Sequence, residues 1–399
     1  AASFHTCEAS TQVFVTGAPA RVAGMCTNPD AAATLLADAE TRAAAGYRVL
    51  AFAQGEVTGN LDPASAPAEP AGLNALGLVG MIDPLRSGVR QAVAEADSAG
   101  VRTIMVTGDH PTTALAIARD LGLATNRAEV VTGTDLMSSE PSKLAELMAG
   151  AKVFARVSPQ QKVEVVEAAR AAGNYVAVTG DGVNDAAALR AANIGVAMGR
   201  AGTDVAREAA ELVITDDHYA TIVAGIEEGR VAYDNVRKVI YLLISTGAAE
   251  VVLVALAIAF GTPLPLLPAQ LLWLNLVTNG IQDVALAFEP GEPGVLKRPP
   301  RPPSEGVFNR LMLERTLIAA IVMGCIGFVS FQWMLDQGWS EESARNYLLM
   351  LMVLFENVHI FNCRSELTSA LRISPLKSPI LMGGALIAFL VHVSMLYLP

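Results

Sequence analysis

The chain has 399 residues, enough for two or three domains, and its formal net charge of −11 excludes the basic face that a nucleic-acid partner would require. With 52% hydrophobic and only 17% charged residues it is too apolar for an ordinary soluble protein. Its four cysteines (Cys7, Cys26, Cys325 and Cys363) form neither a CxxC pair nor a zinc spacing, and the first apolar run lacks the basic flank and length of a signal peptide.

Taken in chain order, residues 1–73 mix short strand-like runs (13–16, 48–52) with an Ala-rich helix over 30–46, and the Pro/Ala/Gly stretch 62–72 reads as a linker. From Leu76 a regular alternation begins. Apolar, β-branched runs at 101–106, 152–157, 175–178, 194–198 and 212–214 are interleaved with helical patterns at 88–99, 112–121, 160–172 and 185–192. That order predicts a parallel sheet covered by helices on both faces, with ligands at the C-terminal ends of its strands. Charges thin out after Lys238, and five apolar windows come after it, at 239–260, 268–288, 312–335, 347–362 and 379–397. Runs of roughly 20 residues match a hydrocarbon core of about 30 Å. Basic residues precede the first window (Arg237, Lys238) and separate the second from the third (Lys297, Arg298, Arg301, Arg310) and the fourth from the fifth (Arg364, Arg372, Lys377). The turns at 261–267 and 336–345 carry almost no net positive charge. This alternation predicts five spans with residues 1–238 in the cytoplasm; the membrane expected is a plasma or bacterial inner membrane.

Three motifs carry chemistry. Thr179-Gly180-Asp181-Gly182-Val183-Asn184-Asp185 ends an apolar strand and opens a helix. Its glycines allow a tight turn, and two carboxylates beside a free helix N-terminus suit a hydrated Mg²⁺ shared with a phosphate. Thr107-Gly108-Asp109 comes after another strand, where the Thr107 hydroxyl and the Gly108 amide are placed to hold phosphate oxygens. Lys162 lies on the first turn of a helix, where its charge can neutralise a phosphoryl group.

TGD, then a lysine, then GDGxND, in that order, resembles the phosphorylation domain of P-type cation-transporting ATPases, which is haloacid dehalogenase-like. Asp83-Pro84-Leu85-Arg86 is similar to that family's DPPR segment with Leu85 for the second Pro, Gly17-Ala18-Pro19 to its KGAP motif, and 46–50 to its later arginine segment. The resemblance implies Mg²⁺ and ATP as cofactors. It implies a phosphoryl-handling set of Thr107, Gly108, Asp109, Lys162, Asp181, Asn184 and Asp185, in which Asp181 is the Mg²⁺ ligand and Asp185 its support. It implies nucleotide contacts at Gly17, Ala18, Pro19, Arg48 and Arg86. Thr16 departs from the pattern, since it stands where the family has the lysine of KGAP. The expected organisation is the C-terminal part of a nucleotide-binding domain (1–73), a phosphorylation domain (74–230) and a transmembrane helix bundle (231–399). No DKTGT occurs in the chain, so the segment bearing the phosphorylated aspartate is expected in a missing N-terminal half, and both ends read as cut. By the resemblance the strand of that segment sits centrally in the sheet; without it backbone edges are left unpaired in mid-sheet, and the 399 residues alone are expected neither to hydrolyse ATP nor to fold robustly.

In the second window Asn275, Thr278, Asn279, Gln282 and Asp283 fall on one α-helical face. Unpaired polar groups in hydrocarbon are costly, and with Glu250 and Glu356 in neighbouring windows they supply the oxygens that hard cations take. The same residues resemble the ion site of type II calcium and sodium pumps, which implies Glu250, Asn275, Thr278, Asn279, Asp283 and Glu356 as the transported-cation set. Asn279 stands where calcium pumps have Asp and Gly247 where they have Asn, so Ca²⁺ is one candidate ion beside Na⁺, K⁺, Mg²⁺ and H⁺. Five spans fit the type II layout better than heavy-metal pumps, and His359, His392, Cys325 and Cys363 read as packing residues. The expected function is part of an ATP-driven cation pump working through an aspartyl-phosphate; the alternative is a non-enzymatic split or regulatory membrane subunit derived from one.

Overall fold

A computed structural model describes the protein except for residues 8–9, 58–69, 83, 138–146, 148, 303–304, 367 and 398–399. The chain falls into two units, Ala1–Val223 and Ala224–Pro399.

The first unit opens with four antiparallel strands in the order β1 (Ala2–Cys7), β2 (Ser10–Gly17), β3 (Arg48–Val57) and β4 (Asn74–Met81). On β2, Thr11, Val13 and Val15 are buried while Gln12 and Phe14 are exposed, the period of two expected of a sheet with one packed face. Helices Pro19–Ala23 and Pro29–Ala44 cover that face, placing Val22 and Leu35 against Val13, Val15, Ala51, Ala53 and Leu73. The second helix starts cleanly because Asn28 Oδ1 accepts from the amides of Asp30 (3.0 Å) and Ala31 (3.2 Å), with Pro29 at its first position. Most of the linker read at 62–72 lies outside the described residues, and the strand beyond it, β4, pairs with β3.

The parallel strands come next, and they do not form one continuous sheet. They form two three-stranded sheets: β5 (Met105–Val106), β7 (Val153–Ala155) and β6 (Val130–Thr132) in the order β5-β7-β6, and β8 (Ala177–Gly180), β9 (Ile194–Met198) and β10 (Leu212–Ile214) in the order β10-β9-β8. Among the described residues no strand pairs with the second edge of β5 or of β8, so nothing joins the two sheets into one ladder. Strand β6 escaped the sequence reading because three residues are too short to show a period, although Val130 and Val131 are buried. The Thr107 loop leaves the C-terminal end of β5 and the Asp181 loop that of β8, as the alternation predicts.

The second unit is helical. The helix Tyr219–Phe260 enters it without a break and runs for 42 residues, about 63 Å at 1.5 Å per residue. Of the five apolar windows, two lie in helices long and apolar enough to cross a membrane, Tyr219–Phe260 and Arg310–Asp336. The fifth is a shorter apolar helix, Pro379–Met395. The fourth lies in Glu341–Cys363, which is long enough but more polar. The second is not one α-helix: Pro268–Trp273 and Asn279–Ala287 are joined by a π turn at Leu274–Thr278.

This unit exposes many large apolar side chains and buries a set of polar ones beside its apolar core. Val251, Ile258, Leu272, Leu276, Val284, Val329 and Val358 are exposed, whereas Thr246, Asn279, Gln282 and Glu356 are buried. Its helices approach closely at small residues. A Cβ on Gly324 would lie 2.7 Å from Val252 Cβ, and one on Gly384 2.6 Å from Ala285 Cβ. Two of the basic residues that the sequence counts as flanking charges prove to be buried and paired: Arg237 donates to Glu305 (3.2 Å) and Glu366 (3.1 Å), and Arg364 to Glu289 (2.7 Å).

Candidate functional sites

The first site lies on the α/β loops. Ser158 and Gln161 close a capping box at the start of Pro159–Ala171, which fixes the first helical turn and with it Lys162. Lys162 Nζ meets Asp185 Oδ1 at 2.7 Å, and Asp185 Oδ2 accepts from the Gly182 amide at 3.1 Å. Gly180 makes this approach possible, since a Cβ there would sit 2.5 Å from Asp185 Cβ. Asp181 and Asn184 are exposed, and the Asp181 carboxylate has no protein partner among the described residues. A free carboxylate beside a lysine–aspartate pair is a donor set that fits a hydrated Mg²⁺.

The second loop is its own constellation. The Thr107 hydroxyl donates to Asp109 Oδ2 and accepts from the Asp109 amide, both at 3.1 Å, so it is spent locally. The exposed Gly108 amide has no protein acceptor among the described residues and is the group left to meet an anion. On the antiparallel sheet Gly17 pairs with Ala51, which puts the turn Gly17-Ala18-Pro19 and the exposed Arg48 at the same end. Arg86 reaches elsewhere: its guanidinium donates to the Asp217 carbonyl. The Asp217 carboxylate accepts from the amides of Arg200 (3.0 Å) and Ala201 (2.7 Å), and the Arg200 amide is the chief cause that holds its pKa below the ordinary value.

The second site lies inside the helical unit. The π turn interrupts the helical face read from the sequence, since one extra residue in a turn rotates the segment after it by roughly 100°, yet Asn275 and Asn279 both reach the helix Tyr219–Phe260. Asn275, before the turn's end, is exposed, while Thr278, Asn279 and Gln282 are fully buried and Asp283 is half-buried. Asn275 Nδ2 donates to both oxygens of Glu250, at 3.1 and 2.8 Å, and to the Leu271 carbonyl at 3.0 Å. Asn279 Nδ2 donates to Thr246 Oγ1 at 3.2 Å, and that hydroxyl donates its own proton to the Leu242 carbonyl at 2.9 Å. Gln282 Nε2 donates to Asn357 Oδ1 at 3.1 Å.

Each of the three amides thus spends its NH₂ on protein. The oxygens are what remain. Asn279 Oδ1, Gln282 Oε1, Thr278 Oγ1, Asp283 Oδ1 and both oxygens of Glu356 are buried without a hydrogen-bond partner among the described residues. Glu356 is 0% exposed and lies within electrostatic reach of Glu250 and Asp283. Among the described residues no three His, Cys, Asp or Glu side chains cluster as a metal site, so any cation here relies on amide and hydroxyl oxygens as well as carboxylates.

Sequence reasoning placed Gln282 in the polar stripe but not in the cation set, and it gave Thr246 and Asn357 no role. Their only signal was position: Thr246 lies four residues before Glu250, and Asn357 comes directly after Glu356. His359, read as a packing residue, also makes a 2.7 Å hydrogen bond to Ser245 and meets the Tyr241 ring edge-on.

Two family models match the chain. One, described as haloacid dehalogenase-like hydrolase, covers residues 21–193; the other, described as the C-terminus of cation transporting ATPases, covers residues 263–399. "Probable cation-transporting ATPase F" of Mycobacterium tuberculosis (strain ATCC 25618 / H37Rv) is 42% identical over 371 residues, 92% of this chain and 41% of that protein. A "Calcium-transporting ATPase" of Bacillus subtilis (strain 168) is 39% identical over 358 residues, 90% of this chain and 40% of that protein. "Cation-transporting ATPase pma1" of Synechocystis sp. is 41% identical over 295 residues, 74% of this chain and 33% of that protein. The chain spans about two fifths of the length of the first two relatives. It belongs among the P-type cation-transporting ATPases, with a haloacid dehalogenase-like domain followed by a helical membrane region.

Proposed function

We propose that this chain is the phosphoryl-handling and cation-binding part of an ATP-driven pump that moves a hard cation across a membrane. The observation that carries this reading is the buried, unpartnered oxygens around Glu356, which are costly to retain unless a cation occupies them. On this reading Glu250, Asn275, Thr278, Asn279, Asp283 and Glu356 form the transport site. Residues 1–238 lie in the cytoplasm, and the five helical windows cross the bilayer.

On the α/β side Asp181 would hold Mg²⁺, whose charge offsets that of a phosphoryl group. Lys162 is held by Asp185 so that its ammonium faces the Gly182 turn, and the Gly108 amide supplies a hydrogen bond to a phosphate oxygen. The turn at Gly17 and Arg48 would take the nucleotide. Arg86, bound to the Asp217 loop, acts there as a loop brace. No DKTGT occurs among the 399 residues, so the aspartate that receives the phosphoryl group comes from outside them, and these residues alone form no phosphoenzyme.

The Bacillus subtilis relative is named a calcium-transporting ATPase, which makes Ca²⁺ the first ion to test. The decisive experiment is phosphoenzyme formation from ATP by the full-length pump in membranes, titrated with Ca²⁺, Mg²⁺, Na⁺, K⁺ and pH. One of these should activate it in a saturable way. A phosphoenzyme level independent of all of them would overturn the pump reading.

A further inference from the structure

Gln282 is fully buried, and its two polar atoms are treated differently by the protein. Nε2 donates to Asn357 Oδ1, while Oε1 is buried with no partner among the described residues. This orientation is imposed from the far end of a short chain of hydrogen bonds. Asn357 Nδ2 donates to the Val353 carbonyl at 3.0 Å, one turn back on its own helix. A backbone carbonyl can only accept, so Asn357 must turn its nitrogen to Val353 and its oxygen to Gln282. Gln282 must then turn its nitrogen to Asn357, and its oxygen is left pointing away.

The neighbours of this pair make the arrangement informative. Asn357 is next to Glu356, whose two carboxylate oxygens are both buried with no partner among the described residues. Gln282 precedes Asp283, whose Oδ1 is also buried with no partner among the described residues. One hydrogen bond therefore ties together the two backbone positions that carry the free carboxylates. A clasp that served only to join the helices would account for the bond, but not for the bare oxygens on either side of it.

We propose that Gln282 Oε1 is a ligand of the bound cation, beside the carboxylates of Glu356 and Asp283, and that Asn357 is the positioning residue that aims it. This rests on the pump reading of the same site. The Glu250 carboxylate is already engaged by the Asn275 amide. Two carboxylates with amide and hydroxyl oxygens balance one divalent cation, and oxygen-only ligation matches a hard one such as Ca²⁺.

The test uses the full-length pump in membranes and whichever of Ca²⁺, Mg²⁺, Na⁺ or K⁺ activates the unaltered protein, reading both the half-activating concentration and the maximal phosphoenzyme level. Gln282→Leu should raise the half-activating concentration at least tenfold with the maximal level kept, and Gln282→Glu, which retains an oxygen, should leave it within about threefold or lower it. Asn357→Leu should shift it in the same direction as Gln282→Leu, and the double variant should be no worse than Gln282→Leu alone. A mere clasp predicts the opposite pattern: lower thermal stability in all of these variants with the half-activating concentration unmoved, which would overturn the proposal. If Gln282→Leu fails to accumulate, Asn357→Leu decides, since it leaves the Gln282 side chain in place. Glu356→Gln separates the two readings. If it leaves cation activation intact, or no cation activates the unaltered pump, the pump reading itself fails; if Glu356→Gln abolishes activation and Gln282→Leu and Asn357→Leu do nothing, only the present proposal does.

Discussion

The α/β loops and the helical interior treat their polar groups in opposite ways. Around Asp185 the groups lie near solvent and satisfy one another: lysine meets carboxylate, and carboxylate meets backbone amide. Around Glu356 they are buried, and the oxygens are left bare. Water can complete an exposed loop, so its geometry can be fully paired without a ligand and still be functional. Inside a helical bundle water is scarcer, and each buried oxygen without a protein partner among the described residues is a free-energy cost that a ligand would remove. The loop site is therefore best recognised by its motif, and the interior site by the partners its oxygens lack.

The widest gap between the two should appear when a carboxylate is neutralised in each. Glu356→Gln removes a buried charge from a cation, a change worth about 2–5 kcal/mol, or roughly 30- to several-thousand-fold in affinity. The cation titration of phosphoenzyme formation should move by that much, and an unshifted titration would mean the bare oxygens serve no ion. On the loop, Lys162→Met should lower the phosphorylation rate by about 10²–10³, the usual cost of one preorganised donor on a developing charge. Its effect on stability should be small. The pair is partly exposed, and exposed ion pairs contribute about 1 kcal/mol or less. A large drop in melting temperature with activity retained would reverse the contrast.

Legibility in the sequence divides along the same line. Thr107-Gly108-Asp109 and the run from Thr179 to Asp185 are contiguous, so their chemistry is visible as words in the sequence. The strands that carry them were legible too, because β-branched runs alternate with helical ones. Which strands pair with which was not, since pairing is a contact between distant segments. In the helical unit the polar residues of 275–283 were visible as a set, but the π turn at Leu274–Thr278 was not, since it has no reliable sequence mark: Asn275 and Asn279 both meet the helix Tyr219–Phe260, whereas Gln282 meets Asn357 on another helix. Thr246 and Asn357 could not be found from sequence, because their role lies in which atom of a neighbouring amide they occupy.

Glycines offer a smaller perturbation on each side. Gly180→Ala would push a methyl to 2.5 Å from Asp185 Cβ, and Gly324→Ala would push one to 2.7 Å from Val252 Cβ. Overpacking of this kind costs about 1–3 kcal/mol. The consequences should differ. At Gly180 the strain falls on the residue that holds Lys162, so phosphorylation should fall more than stability. At Gly324 it falls on a helix contact of ordinary core residues, so thermal stability should drop while the half-activating cation concentration stays put.

The smallest expected effect concerns acid. Backbone amides from Arg200 and Ala201 hold the Asp217 carboxylate in its charged form, so its folded pKa is below the unfolded value. Linkage gives the sign. A group with a depressed folded pKa binds protons more readily when unfolded, so its contribution is complete above the unfolded value, near 3.8, and is lost as pH falls through the folded one. Asp217→Asn should therefore cost stability at neutral pH and lose that disadvantage progressively below about pH 4. Asp217 itself adopts a positive φ of 58°, which asparagine tolerates as readily as aspartate, so backbone strain should not contribute. Melting curves of the two proteins that converge in acid would locate the Arg86 brace on a charged loop; curves that stay parallel from pH 7 to pH 3 would show that Asp217 acts through its shape alone.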